Sequence, residues 1–148
     1  MTAENKRHAW MSLLAKAPAD RLAALWQTYG ATPAFDWLRA PEIGATMVRG
    51  RLGGTGAPFN LGEMTLTRCS LQLDCGAVGH GYVQGRDKHK ARTAALIDAL
   101  MQGPEADAVK AVILVPLDTE MAAAKADRAE KAAATKVDFF TMVRGEDT

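Results

Sequence analysis

Glu63-Met-Thr-Leu-Thr-Arg-Cys-Ser-Leu-Gln-Leu-Asp-Cys-Gly-Ala-Val-Gly-His-Gly-Tyr-Val-Gln84 is the stretch on which the fold turns. Cys69, Leu71 and Leu73 alternate with polar residues, the period of a half-buried strand. Asp74-Cys-Gly76 reads as a tight hairpin loop in which the glycine supplies positive φ, and residues 77–84 return as a second strand. Gly79 and Gly81 leave one face of that strand bare, so a helix or a ligand can lie close to the sheet. Met64 and Leu66 have the opposite parity to Cys69, and a bulge near Thr67 and Arg68 would bring both apolar sets to one side.

Upstream, residues 35–40 and 43–52 read as strands separated by Pro41. Period two places Arg49 and Arg51 on one face with Ala45 and Met47. Residues 53–59 carry the sharpest turn signal. They lack the Gly-Lys-Ser/Thr of a phosphate-binding loop and the third glycine of a dinucleotide fingerprint, which leaves a hairpin connection or a concavity of free amides that suits an anion.

Downstream, Asp87 is the natural N-cap of a helix whose buried stripe is Thr93, Leu96, Ile97, Leu100 and Met101. Its first turn is basic, through Arg86, Lys88, His89 and Lys90. Cations near the positive end of a helix dipole cost about 0.3 to 1 kcal/mol each, a penalty that a bound polyanion would reverse. A capped helix with solvated lysines accounts for the same residues.

Trp10, Leu13, Leu14 and Ala17 mark an amphipathic helix ended by Pro18. A second follows on Leu22, Leu25, Trp26 and Tyr29, closed by Gly30. Gly103-Pro104 breaks the chain, and residues 109–115 are a short apolar run compatible with a strand or a buried helical turn. After Pro116, Asp118 is expected to cap a helix reaching about Thr135, with an alanine seam at Ala122, Ala126, Ala129 and Ala133. Val137-Asp-Phe-Phe-Thr-Met-Val143 has apolar residues on both faces of a strand. It is expected to dock in the chain's own sheet or to cross to another subunit, and self-association is expected with it. The fold class is therefore α+β: N-terminal helices, a central antiparallel sheet, two further helices and a C-terminal strand.

The 148 residues suit a single domain over 1–148. With 48% hydrophobic residues, 24% charged and a net charge of +1 the composition is globular, and it argues against a general nucleic-acid or membrane binder. Cys69, Cys75 and the histidines His8, His80 and His89 lack the spacing of a zinc or redox motif, so no metal and no cofactor is expected. Neither a signal peptide nor a membrane span is evident, and a cytoplasmic protein is expected.

Six motifs occur in order: Gly53-Gly-Thr-Gly56, Thr65-Leu-Thr-Arg68, Tyr82-Val-Gln-Gly-Arg-Asp-Lys88, Ala95-Leu-Ile-Asp-Ala-Leu-Met-Gln102, Pro116-Leu-Asp118 and Val137-Asp-Phe-Phe-Thr-Met-Val-Arg-Gly145. Together they resemble the PhnG family, the small G subunit of the bacterial carbon-phosphorus lyase core complex in phosphonate catabolism. The resemblance implies H, I and J subunits as partners. It implies ATP and an alkylphosphonate as substrates of the complex, the phosphonate displacing adenine at the ribose anomeric carbon to give a ribose 1-phosphonate 5-triphosphate. It also implies that this chain carries no catalytic residue, the chemistry falling to the nucleosidase-like I subunit, and that the chain supports assembly. Arg49, Arg51, Gly53, Gly54, Gly56, Arg68, Gln84, Arg86 and Lys88 are the candidates to meet phosphate oxygens. The alternative is a structural adaptor with no ligand contact, whose basic residues pair with acidic residues of its partners.

Overall fold

The computed structural model describes residues 3–136, with side chains from Lys6 onward. Helices α1 (Ala3–Lys16) and α2 (Ala19–Tyr29) lead into strands β1 (Phe35–Arg51), β2 (Pro58–Leu73) and β3 (Val78–Gln84). Helices α3 (Lys88–Leu100), α4 (Ala106–Val109) and α5 (Val115–Ala134) follow, the last two joined by a π-helical turn at Lys110–Leu114. The class is α+β, as expected, and the strand expected over 137–145 lies outside the described residues.

Local signals act where they were read. Pro18 separates α1 from α2, and Gly30, at φ 75°, caps α2 by donating its N–H to the Trp26 carbonyl. Gly76, at φ 88°, closes the β2–β3 hairpin. Asp87 caps α3 by accepting from the Lys90 N–H at 2.9 Å.

The three strands form an antiparallel sheet in the order β1-β2-β3. Helix α3 lies on it, and residues 94–100 are buried without a break because α1 and α2 cover the helix from the other side. A helix hydrophobic all round is one enclosed on all sides. Its approach to β3 depends on the two glycines. A Cβ at Gly79 would stand 1.9 Å from the Ala95 carbonyl oxygen, and one at Gly81 would stand 2.1 Å from that of Ala91. The bare face of β3 is therefore occupied by a helix.

Several expectations about the strands and the C-terminal helix are corrected. Pro41 does not divide two strands: β1 runs through it, with bulges at Leu38 and at Ala40-Pro41. The strand is at the sheet edge, where a missing N–H and a bulge are both tolerated. There is no bulge at Thr67 and Arg68, since the ladder with β3 is regular from Leu66 to Gln72. The two apolar sets instead face opposite sides, Leu66 lying outside the core cluster that holds Cys69, Leu71 and Leu73. β2 bulges at Leu61. Of the two readings open for residues 109–115 the helical one holds, and α5 begins at Val115, so Asp118 sits in its first turn and is not the cap. Pro116 lacks an N–H and crowds the carbonyl four residues back, and the wide turn before it relieves both.

Two features project from this body. β3 pairs only with residues 66–72, whereas β1 and β2 stay paired out to Arg51 and Pro58. The part of β2 over residues 58–65, about 25 Å of strand, thus forms a two-stranded ribbon with no third strand among the described residues. Residues 122–134 of α5 are exposed throughout, about 20 Å of helix beyond the body.

Candidate functional site

The sheet distributes the candidate anion-binding residues into two groups. Arg49 pairs with Asn60 and Arg51 with Pro58, at the ribbon tip. Gly53 (φ 59°) and Gly54 (φ 82°) turn the chain there, and Gly56 closes the turn by donating its N–H to the Leu52 carbonyl at 2.8 Å. A Cβ at Gly56 would meet that carbonyl oxygen at 2.6 Å. Arg51 donates to the Gly56 carbonyl at 3.1 Å, so one of its N–H groups braces the loop. The tip is a hairpin connection, and its arginines are exposed.

The second group lies about 25 to 30 Å away along β2 at the strand rise. Arg68 pairs with Tyr82 and Leu66 with Gln84, making Arg68 and Gln84 diagonal neighbours on the face away from α3. Arg68 donates to Glu42 at 2.7 Å, and Arg39 donates to the same carboxylate oxygen at 3.3 Å. Arg86 and Lys88 follow the turn at Gly85 (φ 90°) and are exposed. Arg68 and Gln84 are thus brought together, Arg86 and Lys88 follow close in the chain, and Arg49 and Arg51 are set apart from them.

The basic start of α3 is not wholly solvated. Lys90 points inward, donating to the Ala15 carbonyl at 3.0 Å, and burial holds its amine below the usual lysine range against the pull of Asp87. Beside it is a cavity of about 110 Å³ lined by Asp20, Asp87, His89 and Lys90 among others. Two carboxylates beside one amine do not make a phosphate pocket. Arg92, one turn on, stacks over the Phe35 ring at 5.3 Å. Among the described residues no group of three or more His, Cys, Asp or Glu side chains could hold a metal ion.

The most heavily bonded side chain among the described residues, that of Asp98, was not a site candidate in the sequence. Asp98, fully buried on α3, accepts from Arg7 Nε at 3.2 Å, Arg7 Nη2 at 2.7 Å, Trp10 Nε1 at 2.9 Å and the His80 N–H at 2.9 Å. It joins α1, α3 and β3 at one point. Every lone pair is directed to a structural donor, so the group holds the fold and has no capacity left for chemistry. An aspartate inside an otherwise apolar helical stripe was the available signal.

What the surface does offer is apolar area. Met47, Phe59, Leu61 and Leu52 are all exposed on the ribbon or its loop, Leu52 to 73%, and Ile43 is exposed just beyond its base. The bulge at Leu61 turns Phe59 and Leu61 to the side of Gly50, whose Cβ would meet the Phe59 ring at 3.4 Å. A free ribbon with large apolar side chains on both faces is a surface that seeks a partner. No helix among the described residues is long and apolar enough to cross a membrane.

A relative in Rhizobium meliloti (strain 1021), named alpha-D-ribose 1-methylphosphonate 5-triphosphate synthase subunit PhnG, is 44% identical over 142 residues. That alignment covers 96% of this chain and 91% of the relative. A family model described as phosphonate metabolism protein PhnG matches residues 5–145, almost the whole chain, and the chain belongs to the PhnG family.

Proposed function

We propose that this chain is the G subunit of a cytoplasmic complex with H, I and J partners, in which G, H and I together join an alkylphosphonate to the ribose of ATP. The phosphonate oxygen bonds to the ribose anomeric carbon, adenine leaves with its bonding pair and takes up a proton, and a ribose 1-phosphonate 5-triphosphate results. The observation that carries this reading is the end-to-end likeness to a relative named as a subunit of such a synthase. Within the complex, this chain serves assembly. Its ribbon offers exposed Met47, Phe59 and Leu61 to a partner, with Arg49 and Arg51 placed to meet acidic groups at the rim of that contact. The reacting groups lie in a partner, since the one buried carboxylate among the described residues, Asp98, is already committed to four N–H donors.

One specific observation favours a contribution to substrate binding as well. Gln84, Arg86 and Lys88 are adjacent and exposed at the start of α3, where amides and side chains can meet phosphate oxygens together. The test is charge reversal, Arg86→Glu with Lys88→Glu, in the co-expressed complex. The complex should assemble while the Michaelis constants for ATP and phosphonate rise at least tenfold. Unchanged constants would leave only the adaptor role, and a chain that co-purifies with no partner in its unmutated form would remove the subunit reading altogether.

A further inference from the structure

The base of α5 borders an apolar groove of about 450 Å³ whose walls include Trp10, Leu13, Met101, Leu114 and Val115. Val115, a large aliphatic side chain, is 50% exposed there. We propose that this groove is filled by residues 137–143 of a second copy of the chain, carried there by α5 in a two-fold pair.

The argument rests on reach. Val115 stands at the groove and α5 leads directly away from it, so Ala134 lies nineteen residues and about 28 Å along the helix. Phe139 and Phe140 follow Ala134 by five and six residues. Even fully extended they gain about 17 to 21 Å, less than the distance back. The chain's own aromatic segment therefore falls short of its own groove, whereas two α5 helices side by side and antiparallel bring the end of each to the start of the other. The start of α5 is where the groove is.

Spacing and charge agree with that arrangement. Ala122, Ala126, Ala129 and Ala133 are exposed and symmetric about a point between Asp127 and Arg128. Pairing Ala122 with Ala133 and Ala126 with Ala129 allows close backbone approach and sets a single register. In that register Ala134 comes level with Met121 of the other copy, about 9 Å from its Val115, a span that the residues following α5 can cover. Lys125 then lies across from Glu130 and Asp127 across from Arg128, so opposite charges meet and no like charges do. The groove is rimmed by Lys6, Lys110 and Asp118, and the residues after 136 carry Asp138, Glu146 and Asp147 against Arg144. A net positive rim faces a net negative segment, and an isologous contact satisfies both copies at once.

The test needs no substrate and is independent of the phosphonate reading. Two differently tagged chains, both Cys75→Ser, carry Val115→Cys in one and Phe140→Cys in the other. They are co-expressed and oxidised, alone and together with the partner subunits. A disulfide-linked pair of the two tagged chains is expected under both conditions. Absence of that link under both conditions, linkage of Phe140→Cys only to a different subunit, or an intrachain bond when both substitutions share one chain would overturn the proposal. A chain ending at Lys136 leaves the described body unaltered and should fall from twice the chain mass to the chain mass in light scattering. A full-length monomer, or a truncated chain that stays paired, would equally overturn it.

Discussion

Replacing Asp98 with alanine tests whether one buried carboxylate organises three elements. The substitution removes the acceptor for the Trp10 indole N–H and the His80 backbone N–H, both in part-buried bonds to the fully buried carboxylate. A buried donor left without an acceptor costs about 1 to 3 kcal/mol. Arg7 also loses a two-pronged partner, but its side chain is 34% exposed and keeps its bond to the Val78 carbonyl at 3.2 Å. Its charge can turn to water, so the full cost of about 3 to 5 kcal/mol for breaking a buried pair is an upper bound. The sum is a loss of about 3 to 4 kcal/mol. With a urea slope near 2 kcal/mol/M, that is a fall of about 1.5 to 2 M in the unfolding midpoint. Asp98→Asn keeps the shape and can accept from one or two donors while pointing an amide at another, and should lose about 2 kcal/mol. The measurement is urea unfolding followed by tryptophan fluorescence at one fixed protein concentration, because association shifts apparent stability. Arg7→Ala combined with Asp98→Ala should cost less than the sum of the two, by about 1 kcal/mol or more. A loss below about 1 kcal/mol for Asp98→Ala, or strictly additive costs, would refute the view that the network ties α1, α3 and β3 together.

Gly81→Ala should destabilise the fold by about 3 kcal/mol, at the upper end of the usual range for overpacking, because the new methyl meets the Ala91 carbonyl oxygen of a helix sealed on both sides. Gly62→Ala, with open space at its Cβ, is the control and should differ by under about 0.5 kcal/mol in the same denaturant assay. Thiol labelling at pH 8 should modify exposed Cys75 quickly and Cys69 only on unfolding, since burial pushes the Cys69 thiol up to about 11. Equal rates for the two would contradict the packing of β2 against α3. Burial, reinforced by its hydrogen bond to Glu105, pushes the Tyr29 hydroxyl from 10.0 up to about 12. An acid raised in the fold contributes stability fully below its unfolded value, and that contribution should drain away as pH rises from 10 towards 12. In a 295 nm titration the difference between the unmutated chain and Tyr29→Phe should ionise near 12, and a difference centred near 10 would show that α2 does not hold this hydroxyl.

The parts of the fold legible in the sequence share one property: their cause lies within a turn or two of the residue itself. Pro18, Gly30, Gly76 and Asp87 each act on a backbone group no more than four residues away. Gly79 and Gly81 were legible as a bare face, though only the packing told helix from ligand. The buried stripe of α3 was also legible, yet the completeness of its burial was not, because one helix pattern cannot say how many layers lie over it. The anion-binding candidates were chosen by residue type, and residue type carries no distance. Arg49 and Arg51 were therefore grouped with Arg68 and Arg86 as candidates, and strand register separates the two sets by the length of the ribbon.

Sequence alone thus settled the element types from α1 through α3, the hairpin at Gly76, the capped start of α3 and the family, since periodicity, caps and ordered motifs are properties of the chain read in one dimension. Tertiary structure alone decided the rest. It placed the β2 bulge at Leu61, let β1 run through Pro41 at an open edge, left the ribbon and α5 standing clear of the body, and joined Arg7 to Asp98 across 91 residues. Pairing register and contacts at that separation depend on how whole elements pack against one another, and no local pattern encodes which ones meet.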